Sequence, residues 1–332
     1  MMADVPRVIR FPAALLVATL LGAACDSGEP GPDPTPSTPA SAQFAVQMAT
    51  VDLYAGEPQR AQLGILGSDP ERGVRPLSFG TVQVSFSYLG ADGGDAAKPG
   101  PSAEARYVAA YGFPEDGTTP ELTSPADSRG VYQADVTFDR AGLWQADVSF
   151  EIEGRGAQRL ATTFPVVDDP AYPAPGDPAP RTENLTLEDE GAVPASAIDS
   201  LAFDGAPIPD PELHRTTVAD AIAQGRPILL IVGTPAYCES QICGPENEAV
   251  LDLSSRYPDR AEYIHIELWK DYQSEPQVIN EGAAEWVYRN ENFTDPWLFL
   301  IGADGTIADR WMPLFDPDEV AAALEALPPM DA

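Results

Sequence analysis

The sequence predicts two folded parts of different class, an all-β sandwich followed by an α/β unit, and three observations carry that prediction. Residues 44–168 alternate apolar and polar side chains with period two, residues 198–329 mix unalternated apolar runs with helical spacing, and a Pro-rich acidic stretch over 169–197 separates them. The length of 332 residues fits about two domains, and a hydrophobic content of 44% is enough for two cores.

The chain opens with a segment that reads as an export signal over 1–24. Arg7 and Arg10 precede an apolar run over 11–21 that ends in Gly22, Ala23 and Ala24. The run is about eleven residues, roughly half of what a helix needs to cross a bilayer, so it is expected to direct export and not to span. Cys25 follows the small triplet, and Leu21-Gly22-Ala23-Ala24-Cys25 resembles a lipobox, which implies lipidation at Cys25 and anchoring on the outer face of a bacterial cell membrane. The following stretch over 25–43 is Pro, Ser, Thr, Gly and acid, the composition of a solvated tether.

The formal charge is −33, and because residues 1–24 carry +1, the processed chain carries −34. Such a field repels nucleic acid and anionic lipid headgroups, so no nucleic-acid partner is expected. Lysine occurs only as Lys98 and Lys270, and the acidity is spread along the chain, which reads as a strongly solvated surface.

In the first folded part the alternating sets are Val82, Val84, Phe86, Tyr88; Tyr132, Ala134, Val136, Phe138; Trp144, Ala146, Val148, Phe150, Ile152; and Leu160, Thr162, Phe164, Val166. Each set puts one strand face in a core. Weaker runs over 44–53, 62–66 and 105–113 bring the count to about seven, which predicts an immunoglobulin-like sandwich. The stretch 130–148, GVYQADVTFDRAGLWQADV, also resembles small Ig-like domains of extracytoplasmic bacterial proteins. It holds no cysteine or histidine, so a spacer or partner-binding role is expected. The stretch 169–197 is expected to be a flexible linker that lets the two parts move independently. Asn184-Leu185-Thr186 within it matches a glycosylation sequon.

In the second part Thr216 or Thr217 can cap a short helix that Gly225 closes, and Ile228-Leu229-Leu230-Ile231-Val232 reads as a strand buried on both faces. A helix through Arg256, a strand over 263–268, helical spacing around 283–288 and a strand pair around the turn Ala303-Asp304-Gly305 follow. A last helix is capped by Asp316, with Pro317 at its first position and Glu319 three after the cap. This order, the cysteine after the buried strand, and Asp295-Pro296-Trp297 before the hairpin together resemble the thioredoxin-like superfamily over residues 200–329, its TlpA-like reductases in particular. The resemblance implies an α/β thioredoxin-like fold, a redox-active pair at Cys238 and Cys243, and a cis proline at Pro296 lying against that pair.

The spacing departs from that family, because Cys238-Glu239-Ser240-Gln241-Ile242-Cys243 is C-x4-C and not C-x-x-C. With Thr234 just upstream it is similar to the peroxiredoxins in which both cysteines share one helix, and a copper chaperone of Sco type would use His265 as a ligand. With Cys25 lipidated, two cysteines remain in an oxidising compartment. A helix N-terminus would favour a thiolate at Cys238, while Glu239, Glu246 and Glu248 would oppose it. Residues five apart on a regular helix lie about 8.6 Å apart at Cα, too far for a bridge that needs less than about 7 Å. Either Cys238 precedes the helix or its first turn opens on oxidation. The expected function is a membrane-anchored extracytoplasmic thiol-disulfide oxidoreductase in which Cys238 attacks, Cys243 resolves and Pro296 shapes the docking surface. Its partners would be exported thiol or disulfide proteins and a membrane electron donor, with no cofactor and no metal. A thiol peroxidase, or a non-catalytic copper chaperone or adaptor, are the alternatives.

Overall fold

The computed structural model describes residues 43–330 except 70, 116 and 239. The expected signal, the expected tether before residue 43 and the expected lipidation site Cys25 therefore lie outside the described residues, as does Glu239. The first part is nine strands: β1 Gln43–Met48, β2 Pro58–Asp69, β3 Gly73–Ser78, β4 Thr81–Tyr88, β5 Lys98–Ala109, β6 Glu121–Leu122, β7 Gly130–Thr137, β8 Gly142–Ile152 and β9 Gly156–Val166. They form one antiparallel sheet in the order β6-β3-β2-β7-β5-β4-β8-β9, with β1 also paired to β2. The alternating residues read from the sequence do face inward: Val82, Val84, Phe86, Tyr132, Phe138, Trp144 and Phe164 fill the core. Phe138 meets Phe86 and Trp144 edge-on, with centroids 5.2 and 5.0 Å apart. Gly100 is required where β5 passes Trp144, because a Cβ there would come within 2.5 Å of the indole.

The second part runs α1 Val218–Ala223, β10 Ile228–Gly233, α2 Cys243–Arg256, β11 Glu262–Glu267, β12 Trp269–Asp271, β13 Val278–Ile279, α3 Glu281–Val287, β14 Tyr288–Arg289, β15 Asn292–Phe293, β16 Trp297–Ile301, β17 Ile307–Trp311 and α4 Pro317–Ala326. Its main sheet has four strands in the order β11-β10-β16-β17, with β10 parallel to β11 and the other pairs antiparallel. All six residues of β10 are buried, because one face packs on Trp286, Trp297 and Phe299 and the other on Val250, Leu253 and Leu324. Thr217 caps α1 by accepting the Asp220 N–H, and Asp316 caps α4 by accepting that of Asp318.

The class expected from the sequence, an Ig-like sandwich followed by an α/β thioredoxin-like fold, is corrected. The described chain is mostly β, with 40% strand against 19% helix, and a single large antiparallel sheet dominates it. Strands β3 and β6 lack an alternating pattern, so the sequence showed neither the ninth strand nor the continuity of the sheet. The helical spacing over 283–288 yields a helix of only seven residues, α1 has six, and residues 187–214 make short 3-10 turns.

The stretch expected to be a free linker is instead anchored along its length. Asp52 accepts the Ala171 and Tyr172 N–H groups at 2.9 and 3.2 Å, and Arg310 donates to the Tyr172 and Pro173 carbonyls. Asp177 O accepts the Ile307 N–H, and Thr182 accepts the Trp286 indole N–H at 2.9 Å. Asn184, the sequon residue, is buried and accepts the Val218 N–H, so its side chain is structural.

The two parts also meet directly. Arg60 makes a two-bond fork onto Asp309, both bonds 3.0 Å, bonds Glu319 at 2.8 Å and lies over the Trp311 ring. Glu319 also pairs with Arg106 and accepts from Gln133 rather than closing a capping box. The fully buried Gln62 amide donates to Gln133 and to Leu314 O and accepts the Leu314 N–H. Contacts of this kind, charged and hydrogen-bonded at once, fix the orientation of the two sheets.

Candidate functional site

Strand β10 ends at Gly233, and the chain turns through Thr234, Pro235, Ala236 and Tyr237 to Cys238. Cys238 is bridged to Cys243 with Cα atoms 5.9 Å apart, within the span a disulfide allows. Cys243 is the first residue of α2, so Cys238 lies in the preceding loop and not at the start of the helix as the resemblance implied. The sulfur still reaches the helix: Cys238 Sγ accepts the Cys243 N–H at 3.3 Å and lies 3.1 Å from Ser240 Oγ. Ile242, at the capping position, offers no side-chain acceptor, so the cysteine sulfur takes that role. Pro245 in the first turn has no N–H to leave unpaired.

The two sulfurs differ in access. Cys238 is half-buried, whereas Cys243 is 1% exposed. Beneath them, a Cβ added to Gly233 would meet Pro296 Cβ at 3.3 Å and Cys243 Cβ at 3.7 Å, so Pro296 packs close to the inner cysteine. The Asp295–Pro296 peptide is cis. Asp295 Oδ2 lies 3.2 Å from Cys243 Sγ, a neighbour that sequence reading missed. The loop is also held from the first part: Gln241, in the left-handed region at φ 59°, accepts from Arg129 at 2.8 Å. Ile242 packs against Val108, Ala110, Val131 and Leu314.

The acids expected to oppose a thiolate are arranged otherwise. Glu248 is exposed, and Glu246 is fully buried and accepts the Phe315 N–H at 3.2 Å. Burial pushes the Glu246 carboxyl up to about 8, outweighing that bond and the nearby Tyr111 amide, so it is largely uncharged at neutral pH. On the open side, Tyr237 stacks on Tyr272 with ring centroids 3.9 Å apart. Both line a groove with Pro194 and the exposed Phe203.

A second polar cluster lies behind the loop. Thr234 is buried with its hydroxyl 3.3 Å from Ser200 Oγ, which also accepts the Ala236 N–H at 3.0 Å. Glu267 accepts the Ser200 and Trp269 N–H groups, and burial raises its carboxyl to about 7. Asp199 Oδ2 stands 3.5 Å from both His214 Nε2 and His265 Nδ1. Burial would raise the Asp199 carboxyl, but the two imidazoles outweigh it and hold it well below the usual carboxylate range. Burial lowers His214, whereas at His265 the neighbouring Asp199 carboxylate outweighs burial and leaves that ring raised. Sequence reading singled out His265 alone and missed Asp199, His214 and Glu267. The available signal was that the chain has two histidines in all.

No known family model matches the sequence, and no curated protein matches it. Among solved structures, the sporulation control protein Spo0M from Bacillus subtilis is similar at 12% identity over 39% of this chain, with a TM-score of 0.22. The match spans 50% of that protein's chain, and at that score it carries no argument about fold or function. Among the described residues, no helix is long and apolar enough to cross a membrane.

Proposed function

We propose that the chain is a lipid-anchored, extracytoplasmic thiol-disulfide oxidoreductase acting through Cys238 and Cys243. The observation that supports this reading best is the asymmetry of the pair, an accessible sulfur at a helix N-terminus bridged to a buried one. A bridge that closes a loop of four residues restricts the unfolded chain little, so stability alone is a weak reason for it. In the reduced protein, the α2 N-terminus favours the Cys238 thiolate. That thiolate attacks a partner disulfide, forms a mixed disulfide and expels one partner thiolate. Cys243, its proton taken by Asp295, then attacks Cys238 Sγ and releases the reduced partner with both electrons. A thiol donor at the membrane would return the two electrons.

Pro296 and the aromatic groove of Phe203, Tyr237 and Tyr272 would receive an extended segment of the partner protein. The peroxidase alternative has less support, because the Thr234 hydroxyl is buried and engaged with Ser200. Equilibration in glutathione and dithiothreitol buffers tests the reading. The pair should titrate above about −300 mV, and a bridge that stays closed below that value would assign it to structure instead.

A further inference from the structure

From the cluster behind the cysteine loop, we infer that Asp199, His214 and His265 form a buried binding site for a divalent transition metal of the Zn2+ class. The inference is independent of any redox role for the cysteines.

The side chains of Asp199, His214 and His265 are 0%, 0% and 1% exposed. Asp199 Oδ2, His214 Nε2 and His265 Nδ1 lie within 4.8 Å of one another, and none of the three has a hydrogen-bond partner. The two Asp–His separations of 3.5 Å are too long for an N–H···O bond, whose usual range is about 2.7–3.2 Å. They are instead near the spacing of ligands on one ion: with Zn–N and Zn–O at about 2.0–2.1 Å, tetrahedral neighbours stand about 3.3 Å apart.

Outer groups orient two of the three donors, and both ring nitrogens of His214 are without a hydrogen-bond partner. Asp199 Oδ1 accepts the Leu201 N–H at 2.8 Å, which turns Oδ2 toward the imidazoles. His265 Nε2 faces Gly233 O at 3.3 Å, which leaves Nδ1 as the ring atom turned to Asp199, where a metal would have to displace any proton. Charge favours a cation as well. The carboxyl groups of Asp199, Glu267 and the half-buried Asp210 stand around the two imidazoles. Two imidazoles and one carboxylate suit Zn2+, Co2+ or Ni2+ better than the hard cations Ca2+ and Mg2+.

Two of the ligands sit on irregular chain. Asp199 precedes the 3-10 turn Ser200–Gly205, and His214 ends the turn Pro211–His214, whereas His265 is in the middle of β11. A bound ion would clamp both turns to the sheet directly behind Gly233, the residue that supports Cys243 and Pro296. Metal binding would then be coupled to the ordering of residues 199–214.

The test uses the full chain with the Cys238–Cys243 bridge closed, incubated with Co2+ or Zn2+ and freed of loose metal by gel filtration. Elemental analysis should find about one equivalent per chain, and the Co2+ form should show the visible absorption of tetrahedral cobalt. Asp199→Asn and His214→Gln should each lower the retained metal roughly tenfold or more, while the Cys238→Ser/Cys243→Ser double variant keeps it. Chelation should lower the Tm of the wild-type protein, a readout that does not depend on the variants folding. A folded wild-type chain that retains no metal at stoichiometric level and whose Tm ignores chelator would overturn the site. Equal retention in the Asp199→Asn variant, or loss of metal in the double cysteine variant, would overturn it too.

Discussion

Glu246 makes the stability of this protein depend on alkalinity in a calculable way. It is fully buried at the start of α2, between Phe315 and Tyr111, and burial lifts its carboxyl from 4.5 to about 8. A raised acid binds its proton more tightly folded than unfolded. Its contribution is therefore complete below the unfolded value and is lost as pH rises through the folded one. Within that window stability should fall by up to about 1.4 kcal/mol per pH unit, roughly 5 kcal/mol over the whole interval as an upper bound. Glu246→Gln keeps an acceptor for the Phe315 N–H but cannot ionise. Urea denaturation of both proteins between about pH 5 and pH 8, with the disulfide closed, isolates the effect as the difference between the two curves. The wild type should lose stability relative to the variant, steadily and in that direction. Parallel curves would refute the assignment of a buried, protonated carboxyl.

Arg60→Ala removes the fork onto Asp309 and the bond to Glu319, leaving Asp309 without that cation and Glu319 with Arg106 alone. A loss of about 2–4 kcal/mol in chemical denaturation is expected, with faster proteolysis over residues 168–194 as the two parts separate. Gly233→Ala puts a methyl 3.3 Å from Pro296 Cβ and in ordinary contact with Cys243; with Pro296 held in place it should cost about 1 kcal/mol, read as a lower Tm, and no change would mean that Pro296 gives way. Asp295→Asn should slow resolution of a Cys238 mixed disulfide by about tenfold or more in stopped-flow quench at neutral pH, with the slowing diminishing as hydroxide takes over. Cys25→Ser should leave the protein unprocessed or move it out of the membrane fraction, and a processed form that stays in the membrane would defeat the anchor proposal.

What was legible in the sequence had its environment written in the side chains themselves. Val82, Val84 and Phe86 declare a half-buried strand because water and core alternate across it, and the all-apolar β10 declares burial on both faces. Asp316 and Pro317 mark a helix start because capping is local. Glu319 misled for the opposite reason. Three residues after a cap it reads as the second half of a capping box, yet its partners Arg60, Arg106 and Gln133 are distant in the chain. The Pro-rich stretch after residue 168 has the composition of a linker, but its order depends on single buried residues such as Tyr172, Thr182 and Asn184. Their partners are set by tertiary structure. The α/β expectation failed because apolar spacing reports that a face is buried and says little about helix length or about the share of the chain in sheet. The cysteine pair could be found from spacing alone, whereas Asp199 and Asp295 become neighbours of chemistry only through folding.

The seat of Gln241 and Ile242 on Arg129, Val108 and Val131 has a consequence for biosynthesis. A chain made from its N-terminus completes strands β5 and β7 more than a hundred residues before Cys238 emerges. The sheet can thus act as a template already closed when the cysteine loop arrives. The loop then comes to rest on a surface that is already formed. Oxidation then becomes a late step on a formed interface, and a chain whose first sheet misfolds would lack the surface that seats the cysteine loop.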